Sequence, residues 1–359
     1  MKIELISFIP NKIGNKTINI EKVDDKLIVS AKGTGSPKQL VLNRMIYLDD
    51  FFFEVIGLYF GDGLNSRKHC GNRRVSFANR NYKLHEHWLR FLKSFGIDKN
   101  HVNCQIGIGT NVNKELVLEY WTAKTKIQKD KFMKVCVNKP KSCDEGVLSI
   151  NFNSIIFRKI FDNIFDYFIE FLKSDTEYIP SFIAGVFAAE GRVALKGKSL
   201  NYLGIDVKDS VRREYLKSLL RKINVNASKD NRFQEIIIYG YINFKTFNEL
   251  NIERVHPDKY QKFTNGFKNL LSSNANGLTK IRIINLLKLK PMTRFEIAEK
   301  LNRDISIVHK MLKDLEIKEL VKRSGKEKSI NKSRDVWCLL KMPDDLHQLM
   351  RYDYNKITF

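Results

Sequence analysis

The sequence predicts an α+β protein in which one αββαββα-like pattern occurs twice, as two repeats. Three observations predict it. An apolar helix that ends in an acid and a glycine appears twice, with the acids 128 residues apart (190 minus 62). Each copy is followed by the same order of period-2 and period-3.6 patterns. A polar stretch, SSNANG at 272–277, then separates three further helical patterns and a basic hairpin from the repeats.

The elements follow in order. Residues 1–48 alternate the β-rich runs KLIVSAK and QLVLNRMIYL with the turn signals Asn-Lys-Ile-Gly and Gly-Thr-Gly-Ser-Pro, and read as a β appendage. The first repeat, 49–172, opens with a helix from about Asp50 to Asp62. The strand-like runs LNSRKH and RRVSFANR follow, then an amphipathic helix from Asn81 to Phe95 and the strand HVNCQIGIG. Extra material around 110–145 adds a helix (KELVLEYW) and a strand (KFMKVCV). The second repeat, 173–271, opens with PSFIAGVFAAEG, where Pro180 suits a first helical position. GRVALKGK and LNYLGIDVKD read as strands, Val211 to Ile223 as a helix, RFQEIIIYGY as a strand and YINFKTFNELN as a helix. Over 278–345, LTKIRIINLLKLK, TRFEIAEKLN and ISIVHKMLKDLEIKELV are helical. KRSGKEKSINKSR and DVWCLLK then form a basic hairpin, which is the order of a winged helix.

Charge bounds the partners. Lys+Arg number 63 against 40 Asp+Glu, giving +23 and a pI near 9.7. Such a chain is drawn to polyanions, above all to nucleic acid. The five cysteines form no CxxC pair, which reads as reduced thiols and points away from a zinc site or a disulfide framework. The opening MKIELISFIPNKIG lacks the apolar stretch of a signal peptide. No run of about eighteen apolar residues occurs, so no membrane partner is expected. The expected setting is the reducing cytoplasm.

The chemistry lies in the paired helices, VIGLYFGDG (Val55 to Gly63) and IAGVFAAEG (Ile183 to Gly191). Small residues stand four apart in each, Gly57 with Gly61 and Gly185 with Ala189, and share one helix face. Such a face lets two helices meet backbone to backbone. The last helical position is acidic, Asp62 and Glu190, and the following Gly63 and Gly191 suit a left-handed helix end. A carboxylate at a helix C-terminus faces the negative end of the dipole, at a cost of ~0.3–1 kcal/mol. Two of them together repel unless a cation sits between them. A hard divalent ion, Mg²⁺ or Mn²⁺, resolves both problems, and next to DNA phosphate it suits phosphodiester hydrolysis.

This paired motif resembles the LAGLIDADG family of homing endonucleases, over about residues 49–270. The resemblance implies a pseudo-twofold single-chain fold in which the two motif helices form the interface between repeats and the strands form a saddle lying in the DNA major groove. It implies a monomer that cuts both strands of a long asymmetric duplex site, leaving short 3′ overhangs, with Asp62 and Glu190 as metal ligands. The second motif departs from the pattern, with Glu where Asp is commoner. The family's supporting basic residue corresponds best to Lys259 or Lys262 in HPDKYQKF, with Lys173 as the candidate for the first repeat. Other readings of the same scaffold are a non-cleaving DNA-binding regulator and an RNA-splicing maturase.

Strand alternation separates core from saddle faces. Leu203, Ile205 and Val207 oppose Tyr202, Asp206 and Lys208. Val193 and Leu195 oppose Arg192, Lys196 and Lys198. Val102, Cys104 and Ile106 oppose Asn103 and Gln105, and Leu64 opposes Asn65 and Arg67. The outward sets suit phosphate contacts and base-edge readout. His85 and His87 read as surface or packing residues. In the C-terminal module Ile297, Leu301, Ile305, Val308, Leu312 and Leu315 space as two packed helices. Ser306, His309, Lys310 and Lys313 then take the recognition positions, and Lys322, Arg323, Lys326 and Lys328 a basic wing.

Overall fold

Alternation of Ile, Leu and Val with Lys, Asn and Ser turns the opening segment into six short strands, β1 (Lys2–Glu4), β2 (Lys12–Ile13), β3 (Lys16–Val23), β4 (Lys26–Ala31), β5 (Gln39–Asn43) and β6 (Met45–Tyr47). β1 pairs with β6, and the other four form a sheet in the order β2-β3-β4-β5. The structure is a computed structural model and describes residues 1–32, 39–63, 73–137, 145–230, 234–272, 276–329 and 332–343. Two compact units divide the chain. The first comprises Met1–Ala194, Leu203–Ile238 and Thr246–Phe263, and the second Leu195–Tyr202, Tyr239–Lys245 and Thr264–Phe359.

Repeat 1 runs α1 (Asp50–Asp62), β7 (Val75–Asn79), α2 (Tyr82–Ser94), β8 (Asn103–Ile108), α3 (Lys114–Thr125), β9 (Phe132–Val137), β10 (Val147–Phe152) and α4 (Ile155–Phe171). Repeat 2 runs α5 (Ile179–Glu190), β11 (Gly191–Lys196), β12 (Ser199–Asp206), α6 (Ser210–Lys222), β13 (Ala227–Asp230), β14 (Glu235–Tyr239), α7 (Tyr241–Glu249) and α8 (Pro257–Ser272). The sheet orders are β7-β10-β8-β9 and β11-β12-β14-β13. Within them β7-β10-β8 matches β12-β14-β13 strand for strand. β10 and α4 are additional to the elements expected from the sequence. β10, not the inserted β9, is the counterpart of β14, and β9 instead adds to the sheet edge, parallel to β8. The run LNSRKH lies outside the described residues.

The aromatic content fills the core of repeat 1. Phe53, Phe91, Phe157, Phe161 and Phe168 are fully buried with Trp88, and Tyr59 stacks on Trp88 at 5.6 Å. The appendage docks on α4, where Phe8 packs edge-on against Tyr167 at 5.4 Å and accepts a hydrogen bond from Asn163 at 2.9 Å.

After α8 come α9 (Asn276–Leu289), β15 (Met292–Thr293), α10 (Arg294–Leu301), α11 (Ile305–Ile317), β16 (Val321–Ser329) and β17 (Lys332–Leu339). The strands form an antiparallel sheet, β15-β17-β16. Ile284, Ile297, Val308, Met311, Leu312, Leu315 and Trp337 make a separate core there. Thr293 and Glu296 form a capping box on α10. Ile305 departs from the expected packing. It starts α11, ahead of the core-facing turns, and is 40% exposed, while Met311 packs inside. No helix among the described residues is long and apolar enough to cross a membrane.

Candidate active site

Local signals set where both motif helices begin. The Asp49 side chain caps α1 by accepting from the Phe52 amide at 2.8 Å, and Pro180 stands in the first turn of α5. Every residue from Phe52 to Phe60 is buried, as is every residue from Ser181 to Ala188. A helix that is apolar all round belongs in a core.

The small-residue face allows close contact. A Cβ on Gly57 would overlap the Phe182 carbonyl and stand 2.9 Å from the Val186 nitrogen. A Cβ on Gly185 would overlap the Glu54 carbonyl and stand 2.7 Å from the Leu58 nitrogen. Adding 128 converts each pair of contacts into the other, so the glycines are symmetry mates in a parallel pair. At the acidic end, a Cβ on Gly61 would lie 2.5 Å from the Ala189 Cβ and 2.9 Å from the Glu190 Cγ. The two carboxylates therefore end up side by side.

Gly63 and Gly191 end their helices differently from the left-handed expectation. Their φ, ψ values are −77°, 148° and −73°, 150°, which is extended backbone. Glycine is needed for space. A Cβ would strike the carbonyl and ring of Tyr59 in one helix and of Phe187 in the other. At Gly191 the chain passes straight from α5 into β11.

Burial pushes Asp62 up to about 6, against the opposing pulls of Asn79 and Lys259. Asn79 at the end of β7 donates to the Asp62 Oδ2 at 2.5 Å. Glu190 rises to about 7 through burial, then through repulsion by Asp62 and Asp206, with Lys259 and Lys208 opposing. Lys259, in the first turn of α8, donates to the Phe187, Ala188 and Ala189 carbonyls at 3.0, 2.7 and 3.2 Å. Burial lowers it to about 8, although both acids pull it upward. Arg212 does a similar service for α1. It donates to the Phe60 carbonyl at 2.9 Å and lies 4.6 Å above the Phe60 ring. An open pocket of about 540 Å³ beside these groups is lined by Phe60, Gly61, Val186, Glu190, Asp206, Val207, Lys208, Asp209 and Arg212.

The donor set fits a hard divalent ion. Two adjacent carboxylates stand at the negative ends of two helices, both held above their ordinary range chiefly by burial. Among the described residues no His, Cys, Asp and Glu group of three or more is placed to hold a metal. Mg²⁺ commonly takes one or two carboxylates and completes its shell with water and substrate phosphate.

Of the other expected site residues, Lys262 is exposed, and Lys173 pairs with Glu170 at 2.6 Å. Lys259 alone of the three joins the acids. Asn65 and Arg67 lie outside the described residues. Asn103 and Gln105 are half-buried, opposite the buried Cys104 and Ile106. Lys196, Lys198 and Lys208 are exposed, and Tyr202 is half-buried, 5.6 Å from Tyr239. Arg192 is ion-paired with the buried Glu235 at 2.7 Å. Leu195, expected inside, is 37% exposed, because β11 is an edge strand that turns at Gly197. His85 is fully buried rather than at the surface.

In the C-terminal unit Ser306, Lys310 and Lys322 are exposed. His309 is half-buried, with its Nδ1 enclosed, rather than exposed. Lys313 is held by Glu316 at 2.8 Å. Arg323 reaches Glu316 at 3.3 Å and Asp335 at 3.6 Å and lies over the Trp337 ring.

Sequence patterns do not single out Asn79 or Arg212, and they mark Asp206 only as an outward strand residue, not as a neighbour of the acids. Each sits where a strand runs into a capped helix, a junction whose spacing does not reveal that it abuts the motif helices.

No family model and no curated protein matches the chain. Among solved structures it is similar to the N-terminal LAGLIDADG domain of DUF199/WhiA, at 13% identity and TM-score 0.33, over 56% of this chain and 81% of that one. Full-length DUF199/WhiA from Thermotoga maritima is similar at 15% identity and TM-score 0.34, over 74% and 89%. I-DmoI in complex with DNA and Mn is similar at 14% identity and TM-score 0.32, over 57% and 97%. Similarities of this size leave function to be read from the residues themselves.

Proposed function

We propose that this protein is a site-specific endonuclease of homing type, which binds a long asymmetric duplex site as a monomer and hydrolyses both strands, leaving short 3′ overhangs. One observation carries the reading. Two half-buried carboxylates, Asp62 and Glu190, meet at the C-terminal ends of a symmetric, parallel helix pair in a strongly basic protein. Asp62 and Glu190 would hold Mg²⁺ or Mn²⁺, which supplies Lewis-acid stabilisation of charge on a phosphate oxygen when bound. Lys259 keeps one positive charge against the acid pair and favours an anionic group arriving there. Asn79 holds one Asp62 oxygen. Arg192 and Lys208 of repeat 2, with Asn103 and Gln105 of repeat 1, form a DNA-facing strand surface, a saddle; Lys196, Lys198 and Tyr202 are further DNA-contacting residues. The C-terminal unit acts as a winged helix, adding phosphate contacts through Lys310, Lys322 and Arg323.

The test is incubation with Mg²⁺ and a plasmid carrying the DNA that flanks this gene. Linear product with defined ends is expected. Uncut plasmid, together with tight binding to the same DNA, would sink the enzymatic reading and leave a second one, a non-cleaving DNA-binding regulator. A specific observation favours that alternative: Lys259 already offsets part of the acids' charge without a metal. Truncation after about Asn274 should weaken binding at least about tenfold and flatten its salt dependence, with cut positions unchanged.

A further inference from the structure

The insertion at 110–145 breaks the symmetry of the repeats, and its helix α3 reaches toward the first acid through a chain of contacts. Trp121 of α3 is fully buried and anchored by its Nε1, which donates to the Glu145 carbonyl at 2.6 Å. Its ring packs edge-on against His85 at 5.3 Å. Phe77 packs on His85 at 5.4 Å, so the imidazole is clamped between aromatic rings. The His85 Nε2 is 3.0 Å from the Asn79 carbonyl. A carbonyl only accepts, so the ring is the Nε2–H tautomer, and its buried Nδ1 has no hydrogen-bond partner. Asn79 is held a second time, because its Oδ1 accepts from the Asn81 amide at 2.8 Å. With backbone and side-chain oxygen both fixed, its remaining group, Nδ2, points at the Asp62 Oδ2.

We infer that His85 is a positioning residue for the acidic site: held by Trp121 of the insertion, it fixes Asn79 so that the amide orients the Asp62 carboxylate. This rests on the endonuclease reading for its purpose but not for its geometry. A buried His with an unpartnered nitrogen is an expensive way to fill a core, since an unsatisfied polar group there costs ~1–3 kcal/mol. A purely packing role would be met as well by Leu or Phe.

The experiment compares His85→Leu and His85→Gln in the full chain. Gln places an amide N–H near the position of Nε2 and keeps the hydrogen bond to Asn79, whereas Leu fills space without a donor. The first readout is the Asn79 side-chain amide in nitrogen–proton NMR spectra, assigned by its loss in Asn79→Asp. We expect the carboxylate-bonded signal to shift to a free-amide position in His85→Leu and to persist in His85→Gln. The second is Mn²⁺ affinity by calorimetry, expected to fall roughly tenfold in His85→Leu and to recover in His85→Gln. An Asn79 signal unchanged in a folded His85→Leu protein overturns the inference, whatever the metal data. Should His85→Leu fail to fold, Trp121→Phe takes its place. It keeps a ring on His85 but loses the anchor, and an unmoved Asn79 signal there overturns the inference equally. Wild-type protein that binds no Mn²⁺, with the Asn79 signal responding as expected, instead removes the metal-site reading and leaves the positioning role standing.

Discussion

Repeat 1 meets Asp62 with an amide donor, Asn79, whereas repeat 2 places another carboxylate, Asp206, near Glu190. The helix interface between them is symmetric to the level of individual backbone contacts, with Gly57 on Phe182 and Val186, and Gly185 on Glu54 and Leu58. The surroundings are not. The cations in the first turns of the two closing helices also differ. In repeat 2 Lys259 reaches the α5 carbonyls and feels both acids. In repeat 1 Arg158, buried to 4% exposure, donates to the Tyr59 hydroxyl at 2.7 Å and pairs with Asp162 at 2.7 Å. Packing against a facing backbone tolerates no drift, so both repeats must keep the interface. Around the acids, each need only preserve the pair's combined electrostatics, and the two halves can divide the work.

The strongest challenge to this comparison lies in the acids themselves. Asp62→Asn and Glu190→Gln should each abolish cleavage, by roughly a thousandfold or more, if each removes several kcal/mol of metal-borne stabilisation. DNA binding, measured in Ca²⁺, should survive. Full cutting by either variant would show that the two acids do not act as a pair.

The symmetric interface predicts equal damage from its two glycines. Gly57→Leu and Gly185→Leu should each destabilise the protein by ~1–3 kcal/mol or more through overpacking. Thermal melts showing that only one of them matters would deny that the contacts are symmetric.

The two cations should separate. Arg158→Met removes the buried hydrogen bond to the Tyr59 hydroxyl and should cost ~1–3 kcal/mol of stability, with turnover per folded molecule largely kept. Lys259→Met should slow cleavage while lowering the melting temperature less than Arg158→Met does. Equal patterns in melting and turnover would erase the distinction.

The smallest effect is in pH. Asp62 and Glu190 titrate at about 6 and 7 in the folded chain, above their ordinary 3.8 and 4.5. The stability they contribute is complete below those ordinary values and is lost as pH rises through about 6 and 7. Lys259 is lowered from 10.5 to about 8, so its contribution is lost as pH falls through 8 and is flat below that. Metal-free protein should therefore melt a few degrees lower at pH 7.5 than at pH 5 from these groups. Glu190→Gln should flatten that slope, and Mg²⁺ should restore the wild-type melting temperature at pH 7.5. A slope unaffected by Glu190→Gln would place the titration elsewhere.

The sequence by itself determined what depends on near neighbours along the chain. The motif helices start and stop within a residue or so of their expected positions, because caps, Pro180 and the acid–glycine ends act locally. Spacing of four put Gly57 with Gly61 and Gly185 with Ala189 on one face, and repetition of the whole motif implied that the faces meet. Strand alternation located the buried sides of β8 and β12 for the same reason. Only the tertiary structure decided what depends on distant chain. It selected Lys259 over Lys262 and Lys173, because reach to the α5 carbonyls is set by how α8 approaches, not by charge. It brought Asn79 and Arg212 to the acids from strand–helix junctions with no periodic signature. It revealed that Gly63 and Gly191 serve space rather than left-handed backbone, since the clash is with a ring one turn back. It also left Ile305 and Leu195 exposed, the one beginning a helix ahead of its core and the other on an edge strand beside a turn. Local spacing sets which face a residue takes, but what that face meets is set by packing between segments far apart in sequence.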